Sequence, residues 1–309
     1  MTDREGEAEG FKARDAASYD DRAESFDRFT EKLTRPLAER LIALAALSAG
    51  ERVLDVGTGT GVVGLTAARE VGAGGAVLGI DLSEGMLGFA AAKAARSGLT
   101  PPFEARRMDA EALDLPDRSF DVVLSLFSLL HFPNPLHALT EMHRILRPGG
   151  RLAAGIGGPP PLASRSGVQQ AVRHLVNRVR QAQGKLLVAP GFLESLVERR
   201  LSGRRDLEES ALARHSHSRS TALAPLFDRA GFVDVRRDWL GHRLELADPE
   251  EFWEVQRTFS SIARKRLGAA SAEAVAAIHD EFLDACRAVQ RRGGVLAYPV
   301  AACYLTARR

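Results

Sequence analysis

Apolar positions along the chain switch between two periods, and the switches divide it into elements. Phe26, Phe29 and Leu33 recur at helical spacing, and Leu37, Leu41 and Leu44 continue behind Pro36, a residue suited to a helix start. Gly50 closes that stretch, and short apolar runs then alternate with helical patterns. The pattern predicts strands at 52–56, 76–81, 103–108, 120–126 and 150–156, with helices at 61–71, 84–97 and 135–147. Asn134-Pro135 opens the last of these helices and Pro148-Gly149-Gly150 ends it. Strand and helix in alternation predict a parallel sheet covered by helices.

Beyond Pro159-Pro160-Pro161 the rhythm breaks. About 50 residues of mostly helical pattern follow, including Val168, Val172, Leu175, Val176 and Val179, too many for a simple connection. A helix near 219–230 and a strand from Phe232 to Trp239 resume the sheet. Asp248-Pro249 with Glu251 makes an N-cap for helices at 249–267 and 271–292. The last strand falls within 295–308, and Pro299 implies that regular pairing begins only after it. The Glu- and Gly-rich start, residues 1–15, is expected to be disordered.

Composition narrows the function classes. Lysine and arginine number 42 against 40 acidic residues, a net charge of +2 spread without a basic arm, which disfavours a nucleic-acid partner. Cys286 and Cys303 are the only cysteines, so neither a disulfide framework nor a Cys-rich zinc site is expected. His215 and His217 sit in a polar run with no carboxylate or cysteine cluster nearby, and no metal is expected there. No apolar run reaches the roughly 18 residues of a membrane span, and the first 15 residues lack a signal-peptide core. The expectation is a cytoplasmic protein, monomer or homodimer.

The candidate chemistry is concentrated in Arg52-Val-Leu-Asp-Val-Gly-Thr-Gly-Thr-Gly61, where a buried strand runs into three alternating glycines before an apolar helix. Such a turn lets a ligand approach the main chain, and the helix aims its free N–H groups at it. Gly59-x-Gly61-x-x-Gly64 satisfies the dinucleotide pattern, with Asp81 placed 22 residues after Gly59. Its register is wrong, however, because the strand ends at Val56 and the first tight-turn glycine should be Gly57. Asp55 is a second mismatch, since a carboxylate repels a pyrophosphate and attracts an ammonium group.

Asp55-x-Gly57-x-Gly59-x-Gly61 resembles the first motif of the Rossmann-like S-adenosylmethionine-dependent methyltransferases. Gly79-Ile-Asp81-Leu-Ser-Glu-Gly-Met86, Met108-Asp109-Ala110, Phe120-Asp-Val-Val-Leu-Ser125 and Arg144-Ile-Leu-Arg-Pro-Gly-Gly150 resemble its later motifs, in order. Together they cover about residues 50 to 157, and the nearest likeness is to the small-molecule subgroup that includes ubiquinone/menaquinone-biosynthesis C-methyltransferases. The resemblance implies a doubly wound α/β fold with a seven-stranded mixed sheet, its last strand antiparallel, and a helical lid. It implies a cofactor core at 51–157, 219–240 and 295–309, an N-terminal lid segment at 16–50, and lid insertions at 158–218 and 241–294.

The cofactor implied is S-adenosyl-L-methionine, with no metal. Asp55 would hold its ammonium, Gly57, Thr58, Gly59 and Gly61 would pass its methionine part, and Asp81 would accept from both ribose hydroxyls. Asp109 and the Ala110 N–H would meet the adenine edge beside Met108, Leu82 and Met86 would pack on its faces, and Ser125 would close over the methionine end. His131, following the fourth strand, is the candidate general base, with a structural role on its loop as the alternative, and His242 is a weaker one. Tyr19, Phe29, His131 and Trp253 are candidate contacts to a small, hydrophobic methyl acceptor. A non-methylating binder of the same cofactor, an RNA or protein methyltransferase and a nicotinamide-dependent oxidoreductase are the rivals.

Overall fold

The computed structural model describes residues 2–20, 22–99, 103–158, 160, 164–189, 191–201 and 220–309. In chain order the first elements are α1 (Thr2–Asp20), α2 (Ala23–Leu33), α3 (Arg35–Ala45), β1 (Arg52–Val56), α4 (Val62–Val71), β2 (Ala76–Asp81) and α5 (Glu84–Ser97). Then come β3 (Phe103–Arg107), β4 (Phe120–Leu126), a 3-10 turn (Leu129–His131), α6 (Pro135–Ile145), β5 (Leu146–Ile156), α7 (Arg165–Ala182), β6 (Leu186–Val188) and α8 (Gly191–Arg200). The remainder are α9 (Ser220–Arg229), β7 (Val233–Leu246), α10 (Pro249–Phe259), α11 (Ser261–Gly268), α12 (Ala272–Arg291) and β8 (Val295–Arg308).

The chain divides into two units, one of 1–159, 209–240 and 301–309 and the other of 160–208 and 241–300. In the first unit the strands lie in the order β3-β2-β1-β4-β5-β8. The pairs from β3 to β5 are parallel, and β5 meets β8 antiparallel from Arg151–Arg308 to Ile156–Cys303. From β1 the chain builds outward through β2 and β3, then returns to place β4 on the other side of β1. Such a reversal opens a crevice at the carboxyl ends of the central strands, where ligands of doubly wound sheets bind. A core of Leu54, Val56, Ile80, Val123, Leu139, Met142, Ile145, Leu152 and Phe227 supports those ends. The Tyr304 hydroxyl on β8 donates to the Leu37 carbonyl on α3 at 2.9 Å, tying the first helices to the sheet.

The second unit is mostly helical. Its small strand β6 pairs parallel with the start of β8, Leu186 to Val188 against Val295 to Ala297. Phe252, Trp253 and Phe282 form its aromatic centre, with ring centroids 5.2 to 5.7 Å from Phe282. Gln256 is fully buried there, and each of its polar atoms has a partner: its Oε1 accepts from Leu193 N–H and its Nε2 donates to the Phe252 carbonyl.

Several expectations are corrected. Residues 2–20 are helical rather than disordered, because Phe11 is buried and charged side chains on α1 find partners on the first unit. Among the described residues eight strands form in place of seven, β6 being the addition, and β8 pairs with it before Pro299. Pro299 separates the parallel pairing to β6 from the antiparallel pairing to β5, two partners on one strand. Helix α6 ends at Ile145, and Leu146 to Gly150 already belong to β5. The helix expected over 249–267 breaks at Ser260, whose hydroxyl caps α11 by accepting from Ala263 N–H and donates to Glu194. No helix among the described residues is long and apolar enough to cross a membrane.

Candidate active site

Asp55 lies within the buried run of β1, with buried Val56 between it and the glycine turn. Its Oδ2 accepts from the Thr58 hydroxyl at 2.6 Å, while its Oδ1 is buried without a hydrogen-bond partner. Burial pushes this carboxyl up to about 7, against the bonds from Thr58 and Gly64. A buried acceptor with nothing to accept from is costly unless a ligand supplies the donor. A cation or ammonium group would do so and would hold Asp55 ionised.

The turn is shaped for close approach. Gly57 has φ +69° and packs so tightly on the next loop that a Cβ would lie 2.2 Å from that of Ser128. Gly59 has φ +54° and nothing within 4 Å of where a Cβ would stand, which leaves its surface open. Ser128 fixes the loop after β4: its hydroxyl donates to the Val56 carbonyl at 2.9 Å and lies 2.6 Å from the Ser125 hydroxyl. The Ser125 hydroxyl is thereby held on the loop scaffold.

Asp81 sits at the carboxyl end of β2. Its Oδ2 accepts from Gly59 N–H at 2.9 Å and its Oδ1 from Ser83 N–H at 3.1 Å, so the acidic group is braced against the glycine turn itself. Burial raises its pKa, opposed by these bonds and by the nearby His131. Ser83 caps α5 by accepting from Met86 N–H; Met86 is buried and Leu82 half-buried. Ala110 is buried in the core, with Met108 packed against it.

Asp109 is already engaged. Its Oδ2 takes the Lys12 ammonium of α1 at 2.7 Å and its Oδ1 the Glu111 N–H at 2.9 Å. Lys12 also reaches Glu111 at 3.1 Å. Burial opposes the lysine charge, but the two carboxylates outweigh it and raise its pKa. Each carboxylate oxygen keeps a second lone pair, so Asp109 can still accept from an adenine amino group while bonded to Lys12.

His131, on the 3-10 turn after β4, places Nδ1 3.0 Å from Asp15 Oδ2 of α1, and Tyr19 stands edge-on to its ring at 5.9 Å. Tyr19 also packs edge-on against Phe26. Phe29 is 1 % exposed, and its place is in the core with Leu33 rather than at an open surface. Trp253 is likewise a core residue of the second unit, wedged against His279 and Phe282. His242 lies half-buried on β7, in the second unit. His215 and His217 lie outside the described residues.

Sequence reasoning missed Lys12, Asp15, Asp20, Glu111 and Ser128. Asp20 accepts at Oδ1 from the Ser83 hydroxyl at 2.6 Å and from Gly85 N–H at 3.1 Å. The signal that could have exposed α1 was a stripe: Lys12, Asp15 and Tyr19 fall on one helical face at intervals of three and four.

The residues present fit S-adenosylmethionine. An orphaned buried carboxylate oxygen suits an ammonium group, a second carboxylate braced by the glycine turn suits hydroxyls, and neither suits a pyrophosphate. A family described as "Methyltransferase domain" matches residues 54–154. Aklanonic acid methyltransferase DauC of Streptomyces sp. (strain C5) is 36% identical over 46% of this chain, and the match spans 64% of that protein's length. Nocamycin O-methyltransferase of Saccharothrix syringae is 32% identical over 94% of this chain and 96% of its own. Among solved structures, the [4+2]-cyclase SpnF superposes with a TM-score of 0.50 at 20% identity, covering 89% of this chain and 80% of that one. That last likeness shows the fold alone. With a relative aligned over almost its whole length and the family match spanning the glycine turn, Asp55 and Asp81, the chain belongs to the S-adenosylmethionine-dependent methyltransferases.

Proposed function

We propose that the protein transfers a methyl group from S-adenosylmethionine to a small, hydrophobic metabolite of the aromatic or polyketide type. The observation that carries this reading is the pair of carboxylates at the ends of β1 and β2, one with an orphaned oxygen and the other braced by the glycine turn. Bound there, S-adenosylmethionine supplies a methyl group on a sulfonium, already activated for displacement. The chain's own part is to hold and orient: Asp55 takes the ammonium, the Gly57–Gly61 backbone lines the methionine part, and Asp81 takes the ribose hydroxyls. Asp109 and the Ala110 N–H meet the adenine, with Leu82, Met86 and Met108 beside it. Orientation of an acceptor behind the methyl carbon then provides most of the rate.

Acceptor choice is assigned to parts outside the motif core, residues 16–50, 158–218 and 241–294. The names of two relatives, a nocamycin O-methyltransferase and an aklanonic acid methyltransferase, favour a polyketide-type acceptor over RNA or protein. Because a cyclase has this fold, fold alone does not fix the reaction, and a non-methylating binder is the second reading. Incubation with methyl-labelled S-adenosylmethionine and a panel of hydroxylated polyketides and quinones separates the two. Label in a product supports methyl transfer. Tight binding of the cofactor with no transfer across the panel supports the second reading.

A further inference from the structure

Helix α1 touches three of the loops that carry the cofactor motifs. Lys12 pairs with Asp109 and Glu111 after β3, Asp15 with His131 after β4, and Asp20 with Ser83 and Gly85 after β2. Anchored on both sides, the helix fixes the Asp15 carboxylate against the imidazole. The Asp15 side chain is 13% exposed and that of His131 41%. A carboxylate can only accept, so the proton in this bond sits on Nδ1 of the ring. Whenever the ring is neutral, its lone pair therefore lies on Nε2, on a ring that is part open to solvent.

We infer that Asp15 is a positioning residue which holds His131 as a general base, and that the acceptor therefore presents a phenol or enol hydroxyl that becomes a methyl ether. This inference rests on the methyl-transfer reading above. In the step, Nε2 takes the hydroxyl proton as the acceptor oxygen forms its bond to the methyl carbon. The carbon–sulfur bond breaks, and its electron pair stays on sulfur as the neutral thioether. The imidazolium, steadied by Asp15, returns its proton to water. The charged groups near the ring are Asp15 on α1 and Asp81 at the end of β2, with Tyr19 packed edge-on.

The test uses the full chain with S-adenosylhomocysteine bound and its histidines labelled with nitrogen-15. The resonances of His131 are assigned by their loss in His131→Ala. The expected spectrum shows a neutral ring protonated at Nδ1. In Asp15→Asn that tautomer loses its dominance, while the dissociation constant for S-adenosylhomocysteine stays within about twofold. A ring protonated at Nε2 in the unaltered protein, or a spectrum unmoved by Asp15→Asn, overturns the inference. With a hydroxylated acceptor found in the labelled-methyl panel, His131→Ala is expected to lower kcat about 10³-fold and Asp15→Asn about 10²-fold, with KM within a few-fold. Asp15→Glu should recover part of the loss. An acceptor hydroxyl acidic enough to be ionised at the assay pH should escape most of it. Methylation at carbon or nitrogen, with both variants fully active, overturns the inference and leaves the methyl-transfer reading standing. Cofactor binding with no transfer to any acceptor overturns the reading itself, whatever the tautomer.

Discussion

Asp55 in the first unit and Gln256 in the second are both buried polar side chains, and they are buried for opposite reasons. Gln256 has a main-chain partner for both its oxygen and its nitrogen without any ligand. Asp55 keeps one oxygen without a partner and a pKa raised to about 7. The contrast extends to their surroundings. Around Asp55 the polar bonds brace loops at the ends of strands, and around Gln256 they close helix ends and helix contacts. A polar group that completes its own hydrogen bonds stabilises a fold, whereas one left wanting a donor marks where a ligand belongs.

The largest effect expected from this contrast is in the second unit. Phe282→Ala opens a cavity among Phe192, Phe252 and Trp253 and should cost about 3–5 kcal/mol in urea unfolding, with S-adenosylhomocysteine affinity of the folded fraction unchanged. A large loss of affinity would break the separation drawn between the two regions. Asp81→Ala removes the acceptor for the ribose hydroxyls along with the brace to Gly59, and should weaken S-adenosylhomocysteine binding about 100-fold by calorimetry. Loss of less than about threefold would remove Asp81 from the site.

Asp55 sharpens the comparison through pH. Its folded pKa lies above the usual carboxylate value, so without ligand the fold favours the protonated form. Stability contributed at this position is present at low pH and is lost as pH rises from about 4 through about 7. Binding of an ammonium-bearing ligand requires the ionised form, so affinity should run the other way and rise between pH 6 and 8, by about tenfold. Asp55→Asn should flatten that rise. Titrations showing no pH dependence in the unaltered protein would contradict the assignment.

The smallest effect is expected on α7, whose apolar stripe is exposed, Leu175 at 66% and Val172 at 59%. Changing both to Gln should alter unfolding free energy by less than about 1 kcal/mol, although the same pattern on α2 and α3 is core. A loss above about 2 kcal/mol would show that the stripe is packed in solution.

What the sequence could reveal followed the same divide. The strand-and-turn rhythm and the places of Asp55 and Asp81 near the ends of β1 and β2 were legible because they depend on local order: a buried strand, a glycine turn, a residue near a strand end. The partners from α1 were not, because Lys12, Asp15 and Asp20 meet residues far along the chain, and a Glu- and Gly-rich segment with one buried phenylalanine carries too little apolar pattern to signal a docked helix. The burial of Phe29 and Trp253 was not legible for a related reason. An aromatic at helical spacing fills a core as well as a pocket, and only packing decides between them. Ser260, which caps one helix where a single longer one was expected, shows that a serine within an apolar-periodic stretch can end it.

A crystal structure with S-adenosylhomocysteine bound is the most direct test of the assignment of the clasp. The account predicts the ligand ammonium at hydrogen-bonding distance from Asp55 Oδ1, directly or through one water, both ribose hydroxyls on Asp81, and Lys12 still bonded to Asp109. A ligand bound away from the glycine turn, or an ammonium held elsewhere with Asp55 Oδ1 still unpartnered, would contradict it.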